Sequence, residues 1–145
     1  MPTFTRHADV TWEGSLREGT GEARAGTGAF TLPVTFPSRI QDPHGRTSPE
    51  ELIAAAHAAC YAMALSGAMG RKNMSARRLQ VRATVSALLE NGIKIQSSHL
   101  SVTAEGLQGV DAAGFADVAR EAEGGCPVSN ALRGTLKIEV EAHAA

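Results

Sequence analysis

The chain has 145 residues, with 14 Lys plus Arg against 15 Asp plus Glu and a formal net charge of −1. Its charges are scattered and no basic run follows a phosphate backbone, so nucleic acid is not an expected partner. A composition of 43% hydrophobic and 20% charged residues is ordinary for a globular protein, but the aromatic share is only 4%, so the core must rest on Ala, Val, Leu and Ile and its helices must approach closely.

This length fits one domain, 1–145. The opening stretch MPTFTRHADVTWEG lacks the apolar run of a signal peptide, and no segment reads as the ~20 apolar residues of a membrane span. The expectation is a cytoplasmic protein without a membrane partner. Its two cysteines are Cys60 and Cys126. In a reducing compartment a permanent disulfide is uncommon, which leaves a transient catalytic or sensing pair, or two unrelated buried thiols.

In chain order, HADVTWEGSL alternates Ala8, Val10 and Trp12 and, beyond Gly14, Leu16, which predicts a strand with one half-buried face. REGTGEARAGTGAFTL supplies glycine-rich turns and a hairpin partner. PVTFPSRIQDPHGRTSPE is so rich in proline that it reads as an ordered loop leading into the main helix. That helix has a clear start: Ser48 caps, Pro49 suits the first helical position, and Glu50 and Glu51 favour the positive end of the dipole. It ends near Gly70. From Leu52 to Met69 only His57 and Ser66 are strongly polar, so the helix should be buried on most sides.

RRLQVRATVSALL and IKIQSSHLSVTAEG are β-patterned runs joined by Glu90-Asn91-Gly92, a hairpin signal because Asn and Gly both tolerate positive φ. Leu79, Val81, Ala83, Val85 and Ala87 share one face. DAAGFADVAREAEGG is an amphipathic helix with Phe115, Val118, Ala119 and Ala122 inward. CPVSNALR forms a short helix, and GTLKIEVEAHA is a last strand alternating Leu136, Ile138 and Val140. The predicted class is α+β, with a mainly antiparallel sheet packed on the long central helix. The uncovered flank of that helix asks for a second copy: Ala54, Ala55, Ala56, Ala58 and Ala59 allow two such helices to pack closely between two sheets of a homodimer.

Chemistry is most readily read at the cysteines. Cys126, in GGCPV, falls at or near a helix N-cap, where backbone N–H groups favour a thiolate; the bland reading is a small capping residue after a glycine turn. Cys60 lies deep in its helix with no unpaired N–H nearby, so burial should raise its pKa unless a cation is supplied, and by itself it reads as core filler. Loop candidates for that cation are Arg39, Arg17 and Arg46, although a solvated charge is the commoner fate of a loop arginine. His57, one turn before Cys60, is either a base or, more commonly for a lone polar residue on an apolar helix, a core histidine with satisfied hydrogen bonds. No C-x-x-C or H-x-x-x-H spacing supports a metal site, and no phosphate loop or G-x-S-x-G elbow is present, so neither a metal nor another cofactor is expected.

The pair TSPEELIAAAHAACYAMALS and AEGGCPVSNAL, together with VTWEGSL and FPSRI, closely resembles the osmotically inducible protein C branch of the OsmC/Ohr family, which also contains the organic hydroperoxide resistance proteins. The resemblance implies an intertwined homodimer with two central helices enclosed by two sheets. It further implies a thiol-dependent peroxidase that reduces organic hydroperoxides and, more weakly, hydrogen peroxide. Cys60 would be the peroxidatic thiolate, Cys126 the resolving thiol, Arg39 the active-site arginine and Glu50 the carboxylate that orients it. An external dithiol, a lipoyl group among the candidates, would restore the pair. The family pattern also argues against His57 as an essential base.

About ten residues separate Glu50 from Cys60, or about 15 Å along one helix at 1.5 Å per residue. If both act at one thiolate, the active site is expected to be shared, Glu50 of one subunit serving the partner's Cys60 across central helices that cross near Ala55. The alternative from the same residues is a cysteine-pair redox sensor or binding protein without rapid turnover.

Overall fold

A computed structural model describes residues 2–145. The structure divides into two units, Met1–Leu52 and Ile53–Ala145. In the first, alternation and glycine turns give three strands, β1 (Ala8–Glu13), β2 (Thr20–Ala25) and β3 (Thr31–Val34), paired antiparallel in the order β1-β2-β3. The half-buried face expected for β1 is not seen in the single chain, where every β1 residue is exposed. The reason is that this sheet has no second layer within its unit. Its apolar side, with Val10, Trp12 and Val34, lines an open groove of about 400 Å³ together with Phe36, Pro49 and Leu52. Trp12 lies opposite Gly21, and a Cβ at Gly21 would stand 2.6 Å from Trp12 Cε3, so the indole requires a glycine there.

The proline-rich segment is more regular than expected. Pro33 sits in β3, an edge strand, where a missing N–H is tolerated. A short helix, α1 (Phe36–Ile40), follows. Thr35 starts it with a capping box: its hydroxyl accepts from Ser38 N at 3.1 Å, and Ser38 Oγ accepts from Thr35 N at 3.0 Å. Pro37 occupies the first turn, where no donor is needed.

The long helix α2 (Pro49–Arg71) begins in the last residues of the first unit and continues through the second. Ser48 Oγ accepts from Glu51 N at 3.1 Å, the expected cap. Burial on most sides is not seen in the single chain. His57, Tyr61, Leu65, Ala68 and Met69 form one buried stripe, while Met63 on another flank is 73% exposed. Contrary to the sequence expectation, this 23-residue helix is long and apolar enough to cross a membrane by length and composition. Its stripe is occupied otherwise, packing in the core with Leu100, Val102, Phe115 and Val118, as the core helix of an α+β protein does.

Strands β4 (Arg78–Leu89) and β5 (Ile93–Glu105) form the expected hairpin, with Asn91 at φ 52° and Gly92 at φ 109° in its turn. Leu79, Val81, Ala83 and Val85 share the half-buried face, but Ala87, just past a register shift between Ser86 and Ala87, is exposed. The last strand, β6 (Lys137–Ala144), runs parallel to β5, in the order β4-β5-β6. A parallel pairing needs a long crossover, supplied by α3 (Ala112–Glu123) and α4 (Pro127–Leu132). Asp111 caps α3 by accepting from Gly114 N at 2.8 Å, and its buried residues are the predicted Phe115, Val118, Ala119 and Ala122. The class is α+β, with two three-stranded sheets and a long central helix.

Candidate active site

Two pairs of candidate residues come together, one in each unit. In the second unit, Cys60 on α2 and Cys126 at the N-cap of α4 are both free thiols, Cys60 half-buried and Cys126 fully buried. Cys126 belongs to the core cluster against which Cys60 packs. Glycines 124 and 125 end α3, and Pro127 pre-sets the first turn of α4, which leaves Cys126 as the capping side chain. Its Sγ accepts from Ser129 N at 3.5 Å. The Val128 N–H, one residue earlier, acts to lower the Cys60 pKa. The opening turn of α4 therefore caps the Cys126 sulfur with one backbone donor and lowers the Cys60 pKa with another.

Burial pushes the Cys60 thiol above its ordinary pKa; the Val128 N–H opposes this, and the neighbouring Cys126 reinforces it. A nearby positive charge would favour the thiolate, and the one cation on α2, Arg71, stands eleven residues further on in its last turn.

His57 is fully buried. Its Nδ1 is hydrogen-bonded to Ser98 Oγ on β5 at 2.6 Å and its Nε2 to Ser129 Oγ on α4 at 2.7 Å. Burial lowers its pKa, with the Glu123 carboxylate opposing. Both ring nitrogens are occupied by serine hydroxyls, which is the satisfied-histidine reading and leaves no lone pair directed to a substrate. Next along the helix, Tyr61 donates to Ala119 O at 2.5 Å, and its phenol is held well above its ordinary pKa by burial. Glu123, at the end of α3, accepts from Arg133 Nη2 at 2.9 Å through Oε2, while Oε1 is equally near but lacks hydrogen-bond alignment.

In the first unit, Arg39 on α1 and Glu50 in the first turn of α2 form a side-on bidentate pair. Arg39 Nε donates to Oε1 at 2.9 Å and Nη2 to Oε2 at 2.7 Å. The carboxylate raises the arginine's pKa further. Glu50 occupies the Nε–Nη2 edge, which leaves the Nη1 end of the guanidinium for another acceptor. Arg39 also lines the apolar groove of this unit. Of the competing arginines, Arg17 stacks over the Phe36 ring at 5.8 Å, and Arg46 is an exposed loop residue.

Sequence reasoning did not find Ser98, Ser129, Val128 or Glu123. One signal was present: Ser98 shares the inward β5 face with Leu100, Val102 and Ala104, and a lone hydroxyl on such a face demands a buried partner. Among the described residues no three His, Cys, Asp or Glu side chains assemble to hold a metal ion.

The fold is of the α+β class, with one free cysteine on its long central helix and a second at a neighbouring helix start. The model for OsmC-like proteins matches residues 42–141, and the chain belongs to that family. It is 32% identical over 141 residues to the peroxiredoxin OsmC of Escherichia coli, covering 96% of this chain and 97% of that protein. It is 32% identical over 98 residues to organic hydroperoxide resistance protein-like 2 of Staphylococcus epidermidis, covering 66% of each. The crystal structure of the organic hydroperoxide resistance protein OhrB of Bacillus subtilis superposes with a TM-score of 0.71 at 25% identity, covering 94% of this chain and 97% of that one.

Proposed function

We propose that this protein is a cysteine-based peroxidase that reduces organic hydroperoxides and, more weakly, hydrogen peroxide. The observation that carries the reading is the Cys60–Cys126 pair, two free thiols in one core cluster, in a chain whose relatives bear the names peroxiredoxin and organic hydroperoxide resistance protein.

In this reading Arg39, oriented by Glu50, stabilises the Cys60 thiolate. The thiolate attacks the terminal peroxide oxygen, the O–O bond breaks, and the departing alkoxide takes a proton and leaves as alcohol, with Cys60 oxidised to sulfenic acid. The Cys126 sulfur then attacks the sulfenic sulfur. An S–S bond forms, the S–O bond breaks, and the hydroxyl leaves as water with the thiol proton. An external dithiol, with lipoyl groups a suitable chemical class, reduces the disulfide by exchange. The apolar groove beside Arg39 suits a hydrophobic hydroperoxide.

The same reading makes the protein a cytoplasmic homodimer with shared sites. Two features support a second copy: the open flank of α2, and the exposed apolar face of β1 with Val10 at 63% and Trp12 at 39% exposure. The ~15 Å that helical rise puts between residues 50 and 60 assigns Arg39 and Glu50 of one subunit to the partner's Cys60. Steady-state consumption of cumene hydroperoxide with excess dithiol tests the function. Many turnovers in the wild type and none in Cys60→Ser are expected. One equivalent consumed without cycling would make the pair a redox sensor, and unchanged consumption by Cys60→Ser would refute a role for this thiol.

A further inference from the structure

His57 lies outside the proposed peroxide chemistry, yet it is the most elaborately held polar side chain of the second unit. It is completely buried, as are both of its partners, Ser98 and Ser129. Those partners belong to different elements, β5 and α4, while His57 itself is on α2. A fully satisfied buried trio of this kind adds little net stability over an apolar one of the same shape, but it fixes direction, because each hydrogen bond has one allowed geometry.

What it fixes is decided by Ser129. That residue uses its backbone N–H on Cys126 Sγ at 3.5 Å and its hydroxyl on His57 Nε2 at 2.7 Å. His57 in turn stands one turn before Cys60 on the same helix face. A single chain of hydrogen bonds thus runs from the Cys126 sulfur through Ser129 to the helix bearing Cys60, and is anchored to the sheet at Ser98.

We propose that His57 is a positioning residue that, through Ser129 and Ser98, seats the start of α4 on α2 and so governs closure of the Cys60–Cys126 disulfide, without acting on the peroxide. This rests on the peroxidase reading for its place in the cycle. Closure demands sulfurs at about 2.05 Å and a narrow range of dihedral angle and Cα separation. When the Cys126 sulfur moves to the sulfenic sulfur it gives up its bond from Ser129 N. The Ser129 hydroxyl on His57 is then what keeps α4 in place while the S–O bond breaks and water leaves.

The test follows the two steps separately in the full-length protein. After mixing with cumene hydroperoxide, sulfenic acid is trapped with dimedone and the disulfide is timed by intact mass for wild type, Ser129→Ala, His57→Leu and His57→Gln. Expected is sulfenic acid formation within about twofold of wild type, with disulfide closure slowed about tenfold or more in Ser129→Ala and His57→Leu, the scale on which small misplacement acts. Gln, which both donates and accepts, should restore part of the rate. The same variants are also oxidised with diamide, which closes the disulfide without a peroxide.

Unchanged closure in Ser129→Ala, or equal slowing of both steps, overturns the proposal. A wild type inert to hydroperoxide overturns the peroxidase reading instead, and the diamide rates of Ser129→Ala and wild type then decide the clamp by the same difference. Ser129→Ala removes one hydroxyl and keeps the backbone cap, so it answers the question even where His57→Leu fails to fold.

Discussion

Replacing His57 with Gln should remove a pH dependence of stability. Burial holds the imidazole below its ordinary pKa of 6.5, only partly opposed by Glu123. The unfolded chain therefore binds this proton at a higher pH than the native chain, and stability rises with pH wherever the unfolded state holds more protons. The contribution is complete above about pH 6.5 and is lost as the pH falls below that value toward the native-state pKa. Its slope is bounded by one proton, about 1.4 kcal/mol per pH unit. Urea unfolding at steps between about pH 5 and 7, at one protein concentration because assembly would shift the midpoint, gives the curve for each variant. The other four histidines and the carboxylates are common to wild type and His57→Gln, so they cancel in the difference. That difference should narrow from about pH 6.5 downward as the wild type alone loses stability. A constant difference across the range, or a wild type that gains on Gln as the pH falls, would refute a neutral, buried His57.

Arg39→Ala should slow reaction of Cys60 with hydroperoxide by about ten- to hundredfold in stopped flow, the scale of a lost charged hydrogen bond of ~1.5–3 kcal/mol; Glu50→Gln, which loosens the guanidinium but keeps its charge, should cost less. Cys126→Ser should stop at the sulfenic acid, giving about one dimedone adduct per chain and no disulfide by mass. Gly21→Ala should displace the Trp12 ring, because its Cβ would lie 2.6 Å from Trp12 Cε3. Overpacking of this kind costs about 1–3 kcal/mol, and since Trp12 is the only tryptophan its emission reports the movement directly.

The long helix and the elements after it were legible because each carries its own local signal. The Asn91-Gly92 turn, the Ser48 cap and the spacing of Phe115, Val118, Ala119 and Ala122 all act within a few residues. Pro33 and Pro37 misled for the opposite reason. Proline forbids a donor, but an edge strand and a first helical turn require none there, and only the fold shows that β3 is an edge. The capping pair Thr35 and Ser38 was the signal that a helix follows. Alternation puts Trp12 on a half-buried face, but it names a face and says nothing of whether the chain itself covers it. At the site, Cys126 could be placed at a helix start from GGCPV alone. The partners of His57 could not be named, since Ser98 and Ser129 are brought to it by a hairpin and a crossover that no local pattern specifies.

The chemistry of the thiol pair divides between what one chain supplies and what it lacks. In the proposed cycle, closure is served within the second unit by Ser129, which caps Cys126 and bonds His57. Ionisation is not, because burial raises Cys60 and the single opposing group from α4 is the Val128 N–H. In the shared-site reading the missing charge is Arg39 of a second chain, and assembly is then a condition of reactivity as well as of stability. At micromolar concentrations the protein should therefore behave in light scattering as twice its 15.1 kDa chain, about 30 kDa. On dilution, the rate at which Cys60 reacts with hydroperoxide should fall in proportion to the dimer fraction. A monomeric population that keeps the full rate per thiol would show that one chain ionises its own cysteine, and the pairing of Arg39 with Glu50 would then have to serve a single subunit.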